Sequence, residues 1–395
     1  MSARAPRDEI EQLANLRRAP GSKGEAQAAE LIAEMLRARG LDASIERERC
    51  VAGFWLATGV AAVLGAAAGW VGGRRRAVGA VLGIGAATLM ADDVDGGPHL
   101  LRRLLPKRNT PNVLAWAGDE HARETIVLVA HHDAANTGLL FHPGLVPLVN
   151  RIAPEWYDKQ KTSTQTGQLL VLGPSLSALG SALGLRRLRR LGVIWSLGTA
   201  GLLADVARSP VVDGANDNLS AVAVLLMLAE QLATSPPEGI RVLLLSNGSE
   251  ETFMEGMRGF IERHAHELDP EHTRVVAIEC VGSPHLILLE GEGMLRMCDY
   301  DAALREEIQA AADEAGVGLW RGLRLGAGAT DALPAMRRGY PSACLAGCTD
   351  LKTPANYHWN TDVVENLSWE TIEGARTVLG RLIERSARTA AGRSA

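Results

Sequence analysis

Residues 125–133 read TIVLVAHHD. A short apolar run of this kind, bounded by polar residues and rich in β-branched side chains, reads as a buried strand. It ends on His131-His132-Asp133, so an imidazole and a carboxylate stand at the strand's carboxyl end, where open α/β sheets place their sites. Asp133 is spaced to hold the His131 ring through its second nitrogen. Taken alone, the triplet reads as readily as loop polarity or a capped strand end.

Four more runs of this type occur at 112–116, 240–246, 274–280 and 285–289, and helical patterns cover 219–232, 255–266, 300–315 and 368–385. An N-terminal helix starts at Ser22-Lys23-Gly24-Glu25, which has capping-box spacing, and carries Ala29, Leu31, Ile32, Met35 and Leu36 as its apolar stripe before Gly40. Alternating strands and helices predict an α/β fold, a mixed central sheet with helices on both faces. With 395 residues, 47% apolar and 22% charged, the chain can bury such a core. A formal net charge of -5 and the lack of a long basic run give no support to a nucleic-acid partner. Five scattered cysteines, none in a CxxC pair, argue against a disulfide scaffold or a cysteine-held zinc. Residues 1–50 lack the apolar core of a cleavable signal peptide, so the cytoplasm is the default expectation unless the internal apolar segments direct otherwise.

Those segments are two insertions. Residues 51–91 form two Ala/Gly-rich apolar stretches joined by Gly72-Gly73-Arg74-Arg75-Arg76, and residues 169–205 repeat the plan around Leu185-Arg186-Arg187-Leu188-Arg189-Arg190. Each predicts a helical hairpin with a basic tip. Small residues suit close helix packing in lipid, and arginine at both tips suits a membrane-embedded or interfacial hairpin. Only the first stretch reaches the roughly 20 apolar residues of a bilayer crossing. The other reading is a pair of hairpins packed on each other as a cap over a soluble domain. If the hairpins span, the positive-inside rule puts both tips in the cytoplasm and the remainder opposite; a shallow anchor keeps every charged part in the cytoplasm, so the side stays open.

Further polar clusters punctuate the strands and helices. Gly214-Ala215-Asn216-Asp217-Asn218 precedes an apolar helix and presents Asp217 at its N-terminus, where a carboxylate serves either as cap or as a bridge between cations. Ser249-Glu250-Glu251 follows a strand; adjacent carboxylates repel, and a cation or shared proton relieves them. One can ligate a metal while its neighbour acts as general base. Glu279 lies inside the apolar run VVAIECVG, so burial demands a partner for it, either a metal or an arginine. Asn356-Tyr357-His358-Trp359-Asn360-Thr361-Asp362 offers His358 as a ligand and Asp362 as an orienting group.

Taken in order, the HxD, GxNDN and SEE motifs, a later acidic strand residue and a YH pair with a following Asp resemble the M28 family of metallopeptidases, the co-catalytic zinc, aminopeptidase-like class. The resemblance covers roughly 8–50, 108–134 and 212–388. It implies a peptidase domain formed by 1–50, 108–134 and 212–395 in a zinc-peptidase-like sandwich, interrupted by insertions at 51–107 and 135–211. It further implies that His131 and Glu279 complete one zinc site, that Glu251 and His358 complete another, and that Asp217 bridges them. Glu250 matches the family's general base and Asp133 the residue supporting the first histidine. Gly328-Ala329-Thr330-Asp331 resembles the family's segment near the pocket, which makes Asp331 a substrate-side candidate, with Tyr357 and Asp362 beside the site.

Two departures stand out. The family usually has Asp where this chain has Glu279, and it joins the first histidine to the bridging Asp by a short loop rather than by a whole inserted subdomain. The function expected is hydrolysis of peptide bonds, N-terminal residues first, by two Zn2+ ions, with manganese or cobalt also suited to the ligands. The alternatives are a single-zinc acyltransferase or cyclase on the same fold and an inactive membrane-associated binding protein.

Overall fold

The computed structural model describes residues 4–163 and 165–394. Seven strands, β1 (Ala43–Cys50), β2 (Arg108–Gly118), β3 (Thr125–His131), β4 (Arg241–Asn247), β5 (Thr273–Glu279), β6 (His285–Leu288) and β7 (Ser342–Cys348), form one sheet in the order β1-β2-β4-β3-β5-β7-β6. β3 runs parallel to β4 and β5, and β5 parallel to β7, while β1, β2 and β6 pair antiparallel at the two sides. The sheet is mixed, as the sequence predicts.

Side-chain alternation splits the strands between two cores. Ile126, Leu128 and Ala130 face one side with Val242, Leu244, Val276 and Ile278, under the helices Lys23–Ala38, Ser220–Thr234, Ala302–Ala315 and Trp369–Ser394. Val127 and Val129 face the other with Leu243, Leu245, Val275 and Ala277, against Glu255–His264 and Ala332–Arg337. Strands apolar on both faces need cover on both, and here they have it. β1 and β7 lie outside the predicted runs. β1, ASIERERC, is an edge strand whose charges reach solvent, and β7, SACLAGC, is made of small residues that show little apolar contrast.

The helix Lys23–Ala38, which follows a helix at Arg4–Ala14, begins where Ser22 predicts, the Ser22 hydroxyl accepting from the Glu25 N–H at 3.2 Å. The expected return bond of a capping box is absent among the described residues. Glu25 instead turns into the protein, where its carboxylate accepts from the Gly21 N–H, the Thr110 hydroxyl and both the N–H and hydroxyl of Ser249.

Both insertions leave and rejoin the domain at closed points. Cys50 and Arg108 pair on the β1–β2 ladder, and Asn136 bridges to Val211, so each excursion starts and ends at neighbouring backbone. Between these points lie the helices Phe54–Val71, Arg76–Val94, Thr166–Ala182 and Arg186–Arg208, which pack together as a four-helix bundle. Two of its helices are longer than the apolar stretches read from sequence: Arg76–Val94 and Arg186–Arg208 join Phe54–Val71 in having the length and composition of a membrane span.

Leu244 is fully buried at the centre of the sheet. Leu244→Ala is expected to lower stability by about 2–5 kcal/mol, measured as a shift in the denaturant midpoint at unchanged slope.

Candidate metal centre

The parallel strands β3, β4 and β5 end side by side, and their carboxyl ends deliver His131, the turn Ser249-Glu250-Glu251 and Glu279 into one depression. Asp217 arrives from the turn before Ser220–Thr234. Gly214 at φ +57° starts that turn, and a Cβ there would meet the Asp217 carbonyl at 2.6 Å, so the close approach requires glycine. Asp362 caps the turn by accepting from the N–H groups of Asn216 and Asp217 at 2.6 and 3.2 Å. Asn218 ties it to the end of β5 through the Ile278 carbonyl and the Cys280 N–H. His358 comes from the loop after β7.

Among the described residues, eight non-glycine positions have positive φ, and Ser249, Phe253, Met254, Cys280, Asn356 and His358 are six of them. Left-handed backbone at such residues costs on the order of 1–3 kcal/mol each and persists where surrounding contacts over-determine it. Its concentration on the segments that carry candidate ligands shows where the fold spends stability on positioning.

The five candidate ligands converge as two trios sharing one carboxylate. His131 Nε2 lies 3.2 Å from Asp217 Oδ1 and 3.6 Å from Glu279 Oε1. His358 Nε2 lies 3.1 Å from Asp217 Oδ2 and 3.1 Å from Glu251 Oε1. Within each trio the offered atoms are all within 4.8 Å of one another. Zinc bonds of about 2.0–2.1 Å set tetrahedral ligand atoms about 3.3–3.4 Å apart, so these are the edges of two small metal polyhedra joined at Asp217. The longer side chain of Glu279 still reaches His131. Glu251 Oε1 is buried with no hydrogen-bond partner among the described residues, the state expected of an atom reserved for a cation.

Electrostatics agree with the geometry. Burial opposes charge on both imidazoles, yet the carboxylates outweigh it: Glu279, Asp133 and Asp217 push His131 well above its ordinary range, and Glu251 with Asp217 pushes His358 up to about 10. Burial would raise Asp217, but bonds from both imidazoles hold it below the usual carboxylate range. Glu250, Glu251 and Glu279 are all pushed up by burial, and each also by neighbouring carboxylates. The cluster draws in positive charge, and a divalent cation supplies it without a proton.

Glu250 stands beside the ligands, with Oε2 3.9 Å from His131 Nε2. Asp133 does two jobs: its Oδ1 lies 3.4 Å from His131 Nδ1, and its carboxylate accepts from the N–H groups of Glu250 and Glu251 at 3.0 and 3.1 Å. Tyr357 stacks on His358 with ring centroids 3.9 Å apart. Asp331 is buried, accepts from the Asn247 side chain at 2.7 Å, and is pushed up to about 7 chiefly by that burial.

Three contributors carry no clear signal in the sequence. Arg18, fully buried, donates to the carbonyls of Leu13, Leu16, His132, Asp213 and Gly214, clamping the His131 strand end to the Asp217 turn. In the sequence it is one of two adjacent arginines after a charged helix. Glu25 braces the Ser249 turn from below, and Phe141 packs edge-on against His358 at 4.4 Å.

Residues 198–383 match the model of peptidase family M28, a stretch that holds Asp217, Glu250, Glu251, Glu279 and His358. Over that stretch, just under half of the chain, the sequence is similar to this metallopeptidase family. Its fold is similar to the glutaminyl cyclase of Bacteroides thetaiotaomicron bound to N-acetylhistamine, at 13% identity over 97% of each chain with a TM-score of 0.57. It is also similar to a leucine aminopeptidase precursor from Bacteroides thetaiotaomicron VPI-5482, at 14% identity over 97% of each chain with a TM-score of 0.55. A Zn-dependent exopeptidase from Parabacteroides distasonis ATCC 8503 is similar at 13% identity over 97% of this chain and 98% of that one, with a TM-score of 0.54. At these identities the likeness is one of fold. No curated protein matches the chain.

The segment carrying Asp331 is anchored by Glu292, which accepts from the Thr330 N–H at 2.6 Å and is pushed by burial up to about 8 from an ordinary 4.5. Because the folded value is the higher one, the stabilisation is complete below pH 4.5 and is lost as pH rises to about 8. Melting temperatures recorded from pH 5 to 8 are expected to fall more steeply for the native chain than for Glu292→Gln.

Proposed function

We propose that this protein is a two-zinc aminopeptidase, with His131, Asp217 and Glu279 holding one ion and Glu251, His358 and Asp217 the other. The observation that carries this reading is the bridging placement of Asp217, each oxygen of which lies within 3.2 Å of a different imidazole. Two imidazoles and three carboxylates, with room for further ligands, suit zinc. The metals would supply Lewis acidity toward a peptide carbonyl and a more acidic water.

The chain's own residues do the rest. Glu250 lies next to the ligands without being needed as one, so it takes the proton of the attacking water and returns it to the leaving amine. Asp133 holds the His131 ring through Nδ1 and, by accepting from two consecutive backbone N–H groups, fixes where the Glu250 and Glu251 side chains start. Asp362 does the same for Asp217. Cyclisation on a single zinc is the competing reading, favoured by the likeness of the fold to a glutaminyl cyclase; the metal count separates the two.

Elemental analysis is expected to find two zinc ions per chain, and a chelator to abolish hydrolysis of aminoacyl-anilides; one ion, with cyclisation of N-terminal glutamine, overturns the proposal. Glu250→Gln should keep both ions while turnover falls by about 10²–10⁴-fold. Asp362→Ala frees the Asp217 turn and is expected to weaken zinc binding about 10–100-fold, read by competition with a chromogenic chelator.

A further inference from the structure

The four-helix bundle is packed inside out relative to a water-soluble one. A soluble bundle turns its large apolar side chains inward and its polar residues outward. Here the seam is mostly glycine, alanine and serine: a Cβ on Gly69 would fall 2.5 Å from Val193 Cγ2 and 2.8 Å from Ser177 Oγ, one on Gly65 2.7 Å from Pro174 Cγ and 3.0 Å from Ser196 Oγ, and one on Gly83 2.8 Å from Ala178. Ser177 and Ser196 are fully buried. Outward point Val63, Trp70, Val81, Ile84, Ile194 and Leu197, between 54% and 69% exposed. Helices that approach closely through small residues and present large apolar ones outward are arranged as in lipid, where outward apolar surface costs nothing.

Length and charge point the same way. The helices Phe54–Val71, Arg76–Val94, Thr166–Ala182 and Arg186–Arg208 have 18, 19, 17 and 23 residues, or about 26–35 Å at 1.5 Å per residue, against a hydrocarbon core of about 30 Å. Charge is confined to the two ends. Arg74, Arg75, Arg76 and the run from Arg186 to Arg190 occupy the tips, and Asp92, Asp93 and Asp205 lie at the base beside the domain. Among the described residues no carboxylate pairs with the tip arginines, whose natural counter-ions are phosphates, and their long stems let a slightly short helix reach them.

A separate feature lies level with the base. Leu139 donates its N–H to Asp205 Oδ2 at 2.7 Å, and a few residues on, the helix Leu145–Ile152 carries Leu145, Leu148, Val149 and Ile152 at helical spacing. All four are exposed, by 43% to 73%, and the helix buries none of its residues. An amphipathic helix whose apolar stripe stays largely exposed is suited to the interfacial plane of a membrane.

We propose that the four helices cross a lipid bilayer, with the arginine tips among the phosphate headgroups of the far leaflet and the helix Leu145–Ile152 resting on the near surface. Exposed apolar residues occur on all four helices, so the occupant surrounds the bundle, as lipid does and a second copy docking on one side does not. The candidate metal centre then stands beside the near surface, because Phe141, four residues before the resting helix, packs against His358.

The test uses the full chain, expressed in cells and also purified in detergent. The native chain is expected in the membrane fraction after an alkaline carbonate wash, and to float with vesicles of phosphatidylethanolamine and phosphatidylglycerol after detergent removal. The triple variant Val81→Glu/Ile84→Glu/Ile194→Glu changes outward residues alone and should lose flotation several-fold, while its circular dichroism and denaturation midpoint in detergent stay those of the native chain. Recovery of the native chain in the soluble fraction, as monomer or as oligomer, overturns the proposal. So does flotation of the triple variant equal to the native chain's.

Discussion

Two imidazoles and four carboxylates lie in one largely buried depression, and the demand they make for positive charge is the constraint around which the rest of the domain is arranged. Carboxylates whose oxygens lie within 4.8 Å of one another in a poorly solvated site repel strongly. The arrangement holds because the segments bearing His131, Asp217, Glu251 and Glu279 are tied at their backbone by buried polar groups: Asp133 under Glu250 and Glu251, Asp362 under Asp217, Asn218 across to β5, Arg18 between the His131 strand and the Asp217 turn. These braces are themselves charged or amide side chains with several partners each. The cost of the cluster is therefore spread over three layers of the fold, from the candidate ligands outward to Arg18 and Glu25.

The parallel centre of the sheet explains why the site can exist at all. β3, β4 and β5 point the same way, so three successive loops emerge at one edge, and their ends can meet without long excursions. The two insertions exploit the opposite property. Each begins and ends at paired backbone, Cys50 with Arg108 and Asn136 with Val211, so tens of residues were accommodated without altering the register of the sheet. Their helices meet one another beside the metal centre, which places the bundle, the aromatic residues at its base and the candidate ligands along one path.

The chemistry was legible where a residue type contradicts its surroundings. Glu279 in an apolar strand, two adjacent glutamates after a strand, and a histidine closing TIVLVA all announce themselves, and the ordered set of motifs pointed to a metallopeptidase family whose model matches residues 198–383. Strands β2 to β6 were legible for the same reason, as apolar runs with sharp ends. β1 was hidden because an edge strand is free to be charged, and β7 because its small residues carry little contrast. Arg18 and Glu25 were hidden for a different reason: their partners are backbone groups over a hundred or two hundred positions away, and a side chain's local sequence does not reveal a distant carbonyl or N–H.

By itself the sequence determined which side chains could hold a cation, which segments would be strands or helices, and that two stretches were too apolar for an ordinary surface. Those properties are local, set by side-chain chemistry and periodicity. Only the tertiary structure decided that Asp217 offers one oxygen to each imidazole, that Glu25 braces the Ser249 turn instead of closing a capping box, and that the inserted helices pack largely through glycine, alanine and serine with many of their leucine, valine and isoleucine side chains outside. These depend on which surfaces meet, and that follows from the sheet's strand order and the closed ends of the insertions, neither of which any single stretch of the chain contains.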